Sequence, residues 1–233
     1  MVYGPVVVSD IFSDEVKMTK TDWPDQTPAA LNRFYGNPDA NGDGVPDIKW
    51  QQETTITPPY PMFYDGKKVS KISCHKNVAD SLIRVLTQIG TEFTAADRKK
   101  FCLDQFGGVF NFRRKRGGTS LSTHSWAIAI DLAVALNGFG VVYGSKPNMM
   151  PMRVVEIFEA EGWTWGGLWS NPDAMHFQAA DIPGQGKTAP VTVPENSDAI
   201  ADRETVTKVQ AALKNLGYTE VGEIDGKVGK MTR

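Results

Sequence analysis

Two short stretches carry the residue types that can do hydrolytic chemistry: Ser122 to Asp131, reading STHSWAIAID, and Asp173 to His176, reading DAMH. His124 and Asp131 are spaced so that an imidazole ends a loop while a carboxylate rises from the strand that follows. In AIAIDLAVAL a period of two puts Ala129 and Asp131 on one strand face and Ile128 and Ile130 on the other, and small Ala129 leaves room beside the carboxylate. One carboxylate and two imidazoles are a common catalytic zinc set, because three protein ligands leave the fourth tetrahedral position to water. His176 is the natural third ligand, since two of the chain's three histidines fall in these stretches. Spacing alone is equally compatible with a structural reading. In that reading His124 caps a turn, Asp131 is ion-paired and His176 packs in a Met-His-Phe strand.

The pattern as a whole is more specific. SxHxxGxAxD, followed about forty residues later by [DE]xxH, is the signature of the VanY-like zinc peptidases of peptidoglycan. That group contains D-alanyl-D-alanine carboxypeptidases, dipeptidases and phage L-alanyl-D-glutamate endopeptidases. Here the pattern reads Ser122, His124, Ala129 and Asp131, then Asp173 and His176. The flanks CHKNVADSL, FGGVFNFRRKRGG and GWTWGGLW also resemble the phage-associated branch, so the likeness covers about residues 60 to 180. One position departs from it: Ala127 stands where the family has glycine, a change of one methyl that removes no ligand.

The resemblance implies an α+β fold of the Hedgehog/DD-peptidase-like type, with a small antiparallel sheet flanked by helices. It implies zinc held by His124, Asp131 and His176, with Asp173 as the catalytic acid-base. An arginine that holds the substrate and its oxyanion falls on Arg113, with Arg116 as the alternative, and Ser122 helps to orient the peptide. The implied partner is the bacterial peptidoglycan stem peptide. Aspartate as the base and the HFQ ending look more like the L-alanyl-D-glutamate endopeptidases than the carboxypeptidases. A D-alanyl-D-alanine carboxypeptidase, or a non-catalytic wall-binding or virion protein that keeps the zinc fold, remains open.

The elements that position these residues follow from local signals. QTPAALNRFYG predicts a helix with Thr27 as N-cap and Gly36 as its stop. In NPDANGDGVPD, Asp39, Asn41, Asp43 and Asp47 stand at the alternate positions calcium loops use. The bidentate glutamate of an EF-hand is absent, however, Trp50 being in its place, so an Asx-rich surface turn is the competing reading. TTITPPYPMFYDGKKVSKISC predicts strands around an Asp65-Gly66 turn. In HKNVADSLIRVLTQIG, Val78, Leu82, Val85, Leu86 and Ile89 form a helical stripe ended by Gly90, with His75 as a cap or packing residue rather than a fourth ligand. Thr94 and Asp97 open a capping box on a helix that Gly107 and Gly108 stop. PMRVVEIFEAEG predicts a helix with Val154, Val155 and Phe158 inward. Of Trp163, Trp165 and Trp169, at least two read as core and one, taken as Trp169, as a cleft wall. Alternation in AMHFQ places Met175 and Phe177 opposite His176, and a bend near Pro172 is needed for Asp173 to share its face.

At 233 residues, with 41% apolar and 22% charged residues, the chain has room for one sizeable domain and a small second one. The boundaries read as a catalytic domain over 1–182, a linker rich in proline, glycine and small polar residues over 183–202, and a partial module over 203–233. The last part resembles the opening of a three-helix peptidoglycan-binding module, through Val206, Val209, Gln210, Leu213, Leu216, Gly217 and Tyr218, then Asp225, Gly226, Gly229 and Thr232. A formal net charge of −2 argues against a general nucleic-acid binder; the only dense basic run, Arg113 to Arg116, reads either as a solvated loop or, beside the metal motif, as a partner for the carboxylates of a cell-wall peptide. Cys74 and Cys102 read as thiols of a reducing cytoplasm. MVYGPVVVSDIF lacks the charged and apolar regions of a signal peptide, and no run approaches membrane-spanning length. The expectation is therefore a monomer without membrane insertion, made in a host cytoplasm and reaching the wall after lysis or in a virion.

Overall fold

Thr27 and Gly36 bound the first helix as their chemistry dictates: α1 spans Pro28–Tyr35, and the Thr27 side chain accepts from the Ala30 N–H. The computed structural model describes residues 21–47 and 53–183. Trp50, the linker from Gly184 on and the C-terminal module lie outside these residues. After α1 come β1 (Glu53–Ile56), β2 (Phe63–Tyr64), β3 (Lys67–Lys68), β4 (Ile72–His75), α2 (Lys76–Glu92), α3 (Ala95–Lys100) and β5 (Phe106–Gly108). They are followed by β6 (Ala129–Leu132), α4 (Val134–Asn137), α5 (Met152–Ala160), β7 (Thr164–Gly166) and β8 (Asp173–Gln178). Mixed helices and small antiparallel sheets make this an α+β arrangement.

β1 pairs with β4 and β2 with β3, the latter around the Asp65-Gly66 turn, where both residues have positive φ. The functional sheet is four-stranded, in the order β5-β6-β8-β7, with all three pairings antiparallel. Its register sets Asp131 of β6 directly opposite His176 of β8. Directly opposed side chains on one face lie close together, so pairing alone brings a carboxylate to an imidazole. Behind the sheet, the α2 stripe from Val78 to Ile89 packs with Val154, Val155, Ile157 and Phe158 of α5 in one buried cluster. Phe177 stacks on Phe158 with centroids 3.9 Å apart, anchoring β8 to that core. Arg84 of α2 closes a bidentate pair on buried Glu161 just beyond α5, both contacts at 2.7 Å.

Several expectations need correction. Gly90 does not end α2, which runs on to Glu92. It is a packing position instead, since a Cβ there would lie 3.0 Å from the Tyr60 ring. α3 stops at Lys100, well before Gly107, and Cys102 takes a left-handed φ of 56° just beyond it. AIAIDLAVAL is not one strand: Ala133 turns left-handed at φ 54° and α4 begins, held by buried Asn137, whose amide donates to the Ala133 carbonyl at 2.9 Å. In the acidic loop each candidate side chain accepts a backbone N–H, although Asp39 Oδ1 is buried without a hydrogen-bond partner. Asp39 accepts from the Gly44 N–H, Asn41 from Asp43, Asp43 from Val45 and Asp47 from Ala40. Calcium gains no support there, and the Asx-rich turn is the reading that stands.

Gly107, the second residue of β5, lets that strand pass close to the site. A Cβ there would fall 2.7 Å from the Asp131 Cβ and 2.6 Å from Val134 Cγ2. Gly107→Ala is expected to cost about 1–3 kcal/mol of stability, the usual penalty of overpacking, and to weaken metal binding by displacing Asp131. Chemical denaturation and zinc titration of the variant check both effects.

Candidate metal centre

His124 sits in a short 3-10 helix, Thr123–Trp126, entered through Ser122. The Ser122 N–H donates to the Arg113 carbonyl at 2.9 Å, and the Asn111 N–H to the His124 carbonyl at 3.1 Å, so the preceding loop and this turn hold each other. Ala127, at the turn's end, is left-handed at φ 53°, a conformation glycine adopts without cost. The extra methyl is accommodated: Ala127 N–H still donates to the His124 carbonyl at 3.0 Å, and its own carbonyl accepts from His75 at 2.9 Å.

The ligand atoms converge. His124 Nε2 lies 3.1 Å from His176 Nδ1 and 3.3 Å from Asp131 Oδ1, and His176 Nδ1 lies 3.1 Å from Asp131 Oδ1. Zinc–ligand bonds of about 2.0–2.1 Å in tetrahedral geometry require ligand atoms about 3.3 Å apart, so this triangle has the dimensions of three zinc ligands. The protonation pattern fits as well. His124 Nδ1 is 2.7 Å from the Val109 carbonyl, which can only accept, so that nitrogen carries the proton and Nε2 offers a lone pair. His176 Nε2 is 3.3 Å from Gln178 Oε1, an acceptor already receiving the Thr123 hydroxyl at 3.2 Å, which leaves Nδ1 as the lone-pair nitrogen. Two lone pairs and a carboxylate facing one another in a buried spot repel unless a cation lies between them. Among the described residues this is the only convergence of three or more His, Cys, Asp or Glu side chains able to hold a metal.

Without a metal the facing nitrogens can take up protons instead: burial raises the Asp131 carboxyl, but hydrogen bonds and charge from the two protonated imidazoles outweigh it and hold the group well below the usual carboxylate range. For His176 burial pulls downward, while Asp131 outweighs it and leaves the pKa above its ordinary value.

The triad opens on a cleft of about 1360 Å³, whose walls include Arg113, Arg116, Ser122, Trp169, Asp173 and His176. A second hollow of about 400 Å³, lined in part by His124, Asp131 and Arg113, adjoins it. The chain bends at 169–171, just before Pro172, and the pairing of β8 with β7 slips between Trp165↔Phe177 and Gly166↔Asp173, which together bring Asp173 onto the His176 wall. Met175 is carried into the cleft lining by the same slip, contrary to simple alternation. Asp173 Oδ1 is buried without a hydrogen-bond partner. Burial raises the Asp173 pKa and Asp131 adds to the rise, against the charges of His176, His124 and Arg116. The Trp169 ring lies 5.5 Å from His176, while Trp163 and Trp165 are buried in the core. Arg113 spends a guanidinium N–H on the Arg114 carbonyl at 3.2 Å. Arg116, set over the Phe139 ring at 5.1 Å, is the arginine whose charge reaches Asp173.

Sequence reasoning missed the residues behind the ligands: Thr123, the Val109 carbonyl, Gln178 and Gln26. Only Gln178 had a signal, since it stands two residues from His176 on one strand. No curated protein and no solved structure matches the chain. A family model described as D-alanyl-D-alanine carboxypeptidase does match residues 116–179, a span that runs from Arg116 through the whole ligand triad and Asp173 to just past Gln178.

Proposed function

We propose that the protein is a zinc metallopeptidase of peptidoglycan that hydrolyses the L-alanyl-D-glutamate amide of the stem peptide. The observation that carries this reading is the triangle of His124, Asp131 and His176 ligand atoms with the unpartnered Asp173 Oδ1 on the same cleft wall. The family match over the same residues supports a peptidase. Bound zinc supplies an acidified water and a polarised scissile carbonyl. His124 and His176 keep their lone pairs on the metal side because the Val109 carbonyl and Gln178 fix their other nitrogens. Asp173 takes the proton of the attacking water and returns it to the nitrogen as the C–N bond breaks and the C–O bond forms. Its raised pKa suits a group that must both accept and donate near neutrality. Arg116, with Arg113 as the alternative, stabilises the oxyanion. Ser122 orients the peptide and Trp169 closes one wall against water.

The description of the matched family favours a second reading, trimming of the terminal D-alanine. Digestion of purified sacculi by the zinc-loaded protein, with mass spectrometry of the released muropeptides, separates the two. Peptides with a new D-glutamate amino terminus are expected. Loss of D-alanine alone establishes the carboxypeptidase, and intact sacculi leave only a binding protein. On the proposed reading the enzyme acts in the manner of a phage endolysin, as a monomer reaching the wall after lysis or in a virion. Among the described residues no helix is long and apolar enough to cross a membrane.

A further inference from the structure

The basic run Arg113 to Arg116 is not a uniformly solvated loop. Arg114 bridges to Leu121, the Lys115 N–H donates to the Ser120 carbonyl at 2.9 Å and the Gly118 N–H to the Lys115 carbonyl at 3.1 Å, so the segment is a tight turn with alternating faces. Arg114 turns away and binds the Thr119 carbonyl, while Lys115 is half-buried in the cleft wall. Its Nζ donates to Gln26 Oε1 at 3.2 Å. That oxygen also accepts from Gln178 Nε2 at 3.3 Å, and Gln178 Oε1 faces the metal ligand His176 at 3.3 Å. The amine therefore stands on the part of the cleft that adjoins the His176 side of the triad.

Among the described residues no acidic side chain pairs with Lys115; burial is what perturbs it, pulling its pKa below the ordinary lysine value. A partly desolvated cation with one neutral acceptor leaves two N–H donors open to an anion. On the function proposed above the neighbouring arginines serve the oxyanion, Arg116 first and Arg113 as the alternative, which leaves Lys115 as the cation of this turn without an assigned anion. The proposed substrate offers the matching group. In an L-alanyl-D-glutamyl unit continued through the γ-carboxyl, the carbon that bears the leaving nitrogen also bears a free α-carboxylate.

We infer that Lys115 is a specificity residue, which binds that carboxylate and makes the enzyme discriminate against stem peptides in which it is amidated; this rests on the function proposed above. The probes are L-alanyl-γ-D-glutamyl-L-lysine and its glutamate α-amide, given to the zinc-loaded full chain. Mass spectrometry identifies the bond cut, and calorimetry measures both affinities in the Asp173→Asn background. The acid is expected to bind about tenfold more tightly than the amide, or better, the usual worth of a charged hydrogen bond. That ratio should collapse to near one in Lys115→Gln and survive in Lys115→Arg. An unchanged ratio in Lys115→Gln, a ratio near one in its parent, or equal loss for both peptides overturns the assignment. Cleavage at another bond overturns the proposed function instead, and the affinity ratio still decides the role of Lys115.

Discussion

Asp173→Asn is expected to lower hydrolysis by about a hundred- to ten-thousand-fold, the usual worth of a positioned acid-base group, while zinc content and fold are retained. The expectation rests on a half-buried carboxylate that has one buried oxygen without a partner and shares a cleft wall with the proposed ligands. A second consequence has the opposite sign. Burial raises the Asp173 pKa in the folded protein, so the folded state holds this proton more tightly than the unfolded chain does. Stability is therefore lost as pH rises from about 3.9, the ordinary aspartate value, through the raised value, and it stays lower above. Asparagine cannot ionise, so the variant should melt no lower than the wild type at neutral pH, and the acid limb of the pH–rate profile should vanish from its residual activity. Full-rate cleavage by the variant removes Asp173 from the mechanism.

Stripping the metal should abolish turnover, and zinc alone should restore it. Thermal stability should move with it: free zinc at a thousand times its dissociation constant stabilises the folded state by about 4 kcal/mol, which for a domain of this size is on the order of 10 °C in Tm. The size of the drop depends on pH in a direction the site dictates. Without metal, Asp131 raises the pKa of His176, so their pairing stabilises the protein fully below the ordinary 6.5 and is lost as pH rises through the raised value. Zinc needs the imidazole neutral and gains affinity over the same interval. The gap in melting temperature between loaded and stripped protein should therefore widen with rising pH. Calorimetry with and without a zinc-selective chelator at two pH values measures it, and undiminished turnover by the stripped protein would falsify the metal assignment.

What was legible in the sequence was whatever depends on neighbours in the chain. Thr27, the Thr94–Asp97 capping box, the Asp65-Gly66 turn and the stripe from Val78 to Ile89 each act within a few residues, and each produced the element it announces. The convergence of His124, Asp131 and His176 was legible because their residue types and spacing are unusual together. What escaped depends on residues far away. Gly90 looks like a helix stop until Tyr60 packs against it, and Gly107 looks like one until β5 must pass Asp131. Asp173 and His176 look opposed until β8 slips against β7. The Val109 carbonyl that fixes His124 belongs to the main chain and leaves no mark in residue types. The run from Arg113 to Arg116 was legible as a candidate partner of carboxylates, but only the turn at 115–118 separates Lys115 from its neighbours.

The opposition of Asp131 and His176 across β6 and β8 also bears on how the molecule assembles. The two residues are 45 positions apart, and the intervening chain supplies α4, α5 and β7, so a nascent or denatured chain has no ready-made chelate to capture the ion. Capture must wait until these two central strands have zipped together. From then on a bound ion would act as a rivet between them, slowing the opening of the sheet's middle far more than the fraying of its edges, so that the lifetime of the folded, loaded molecule would be set by how rarely that rivet lets go.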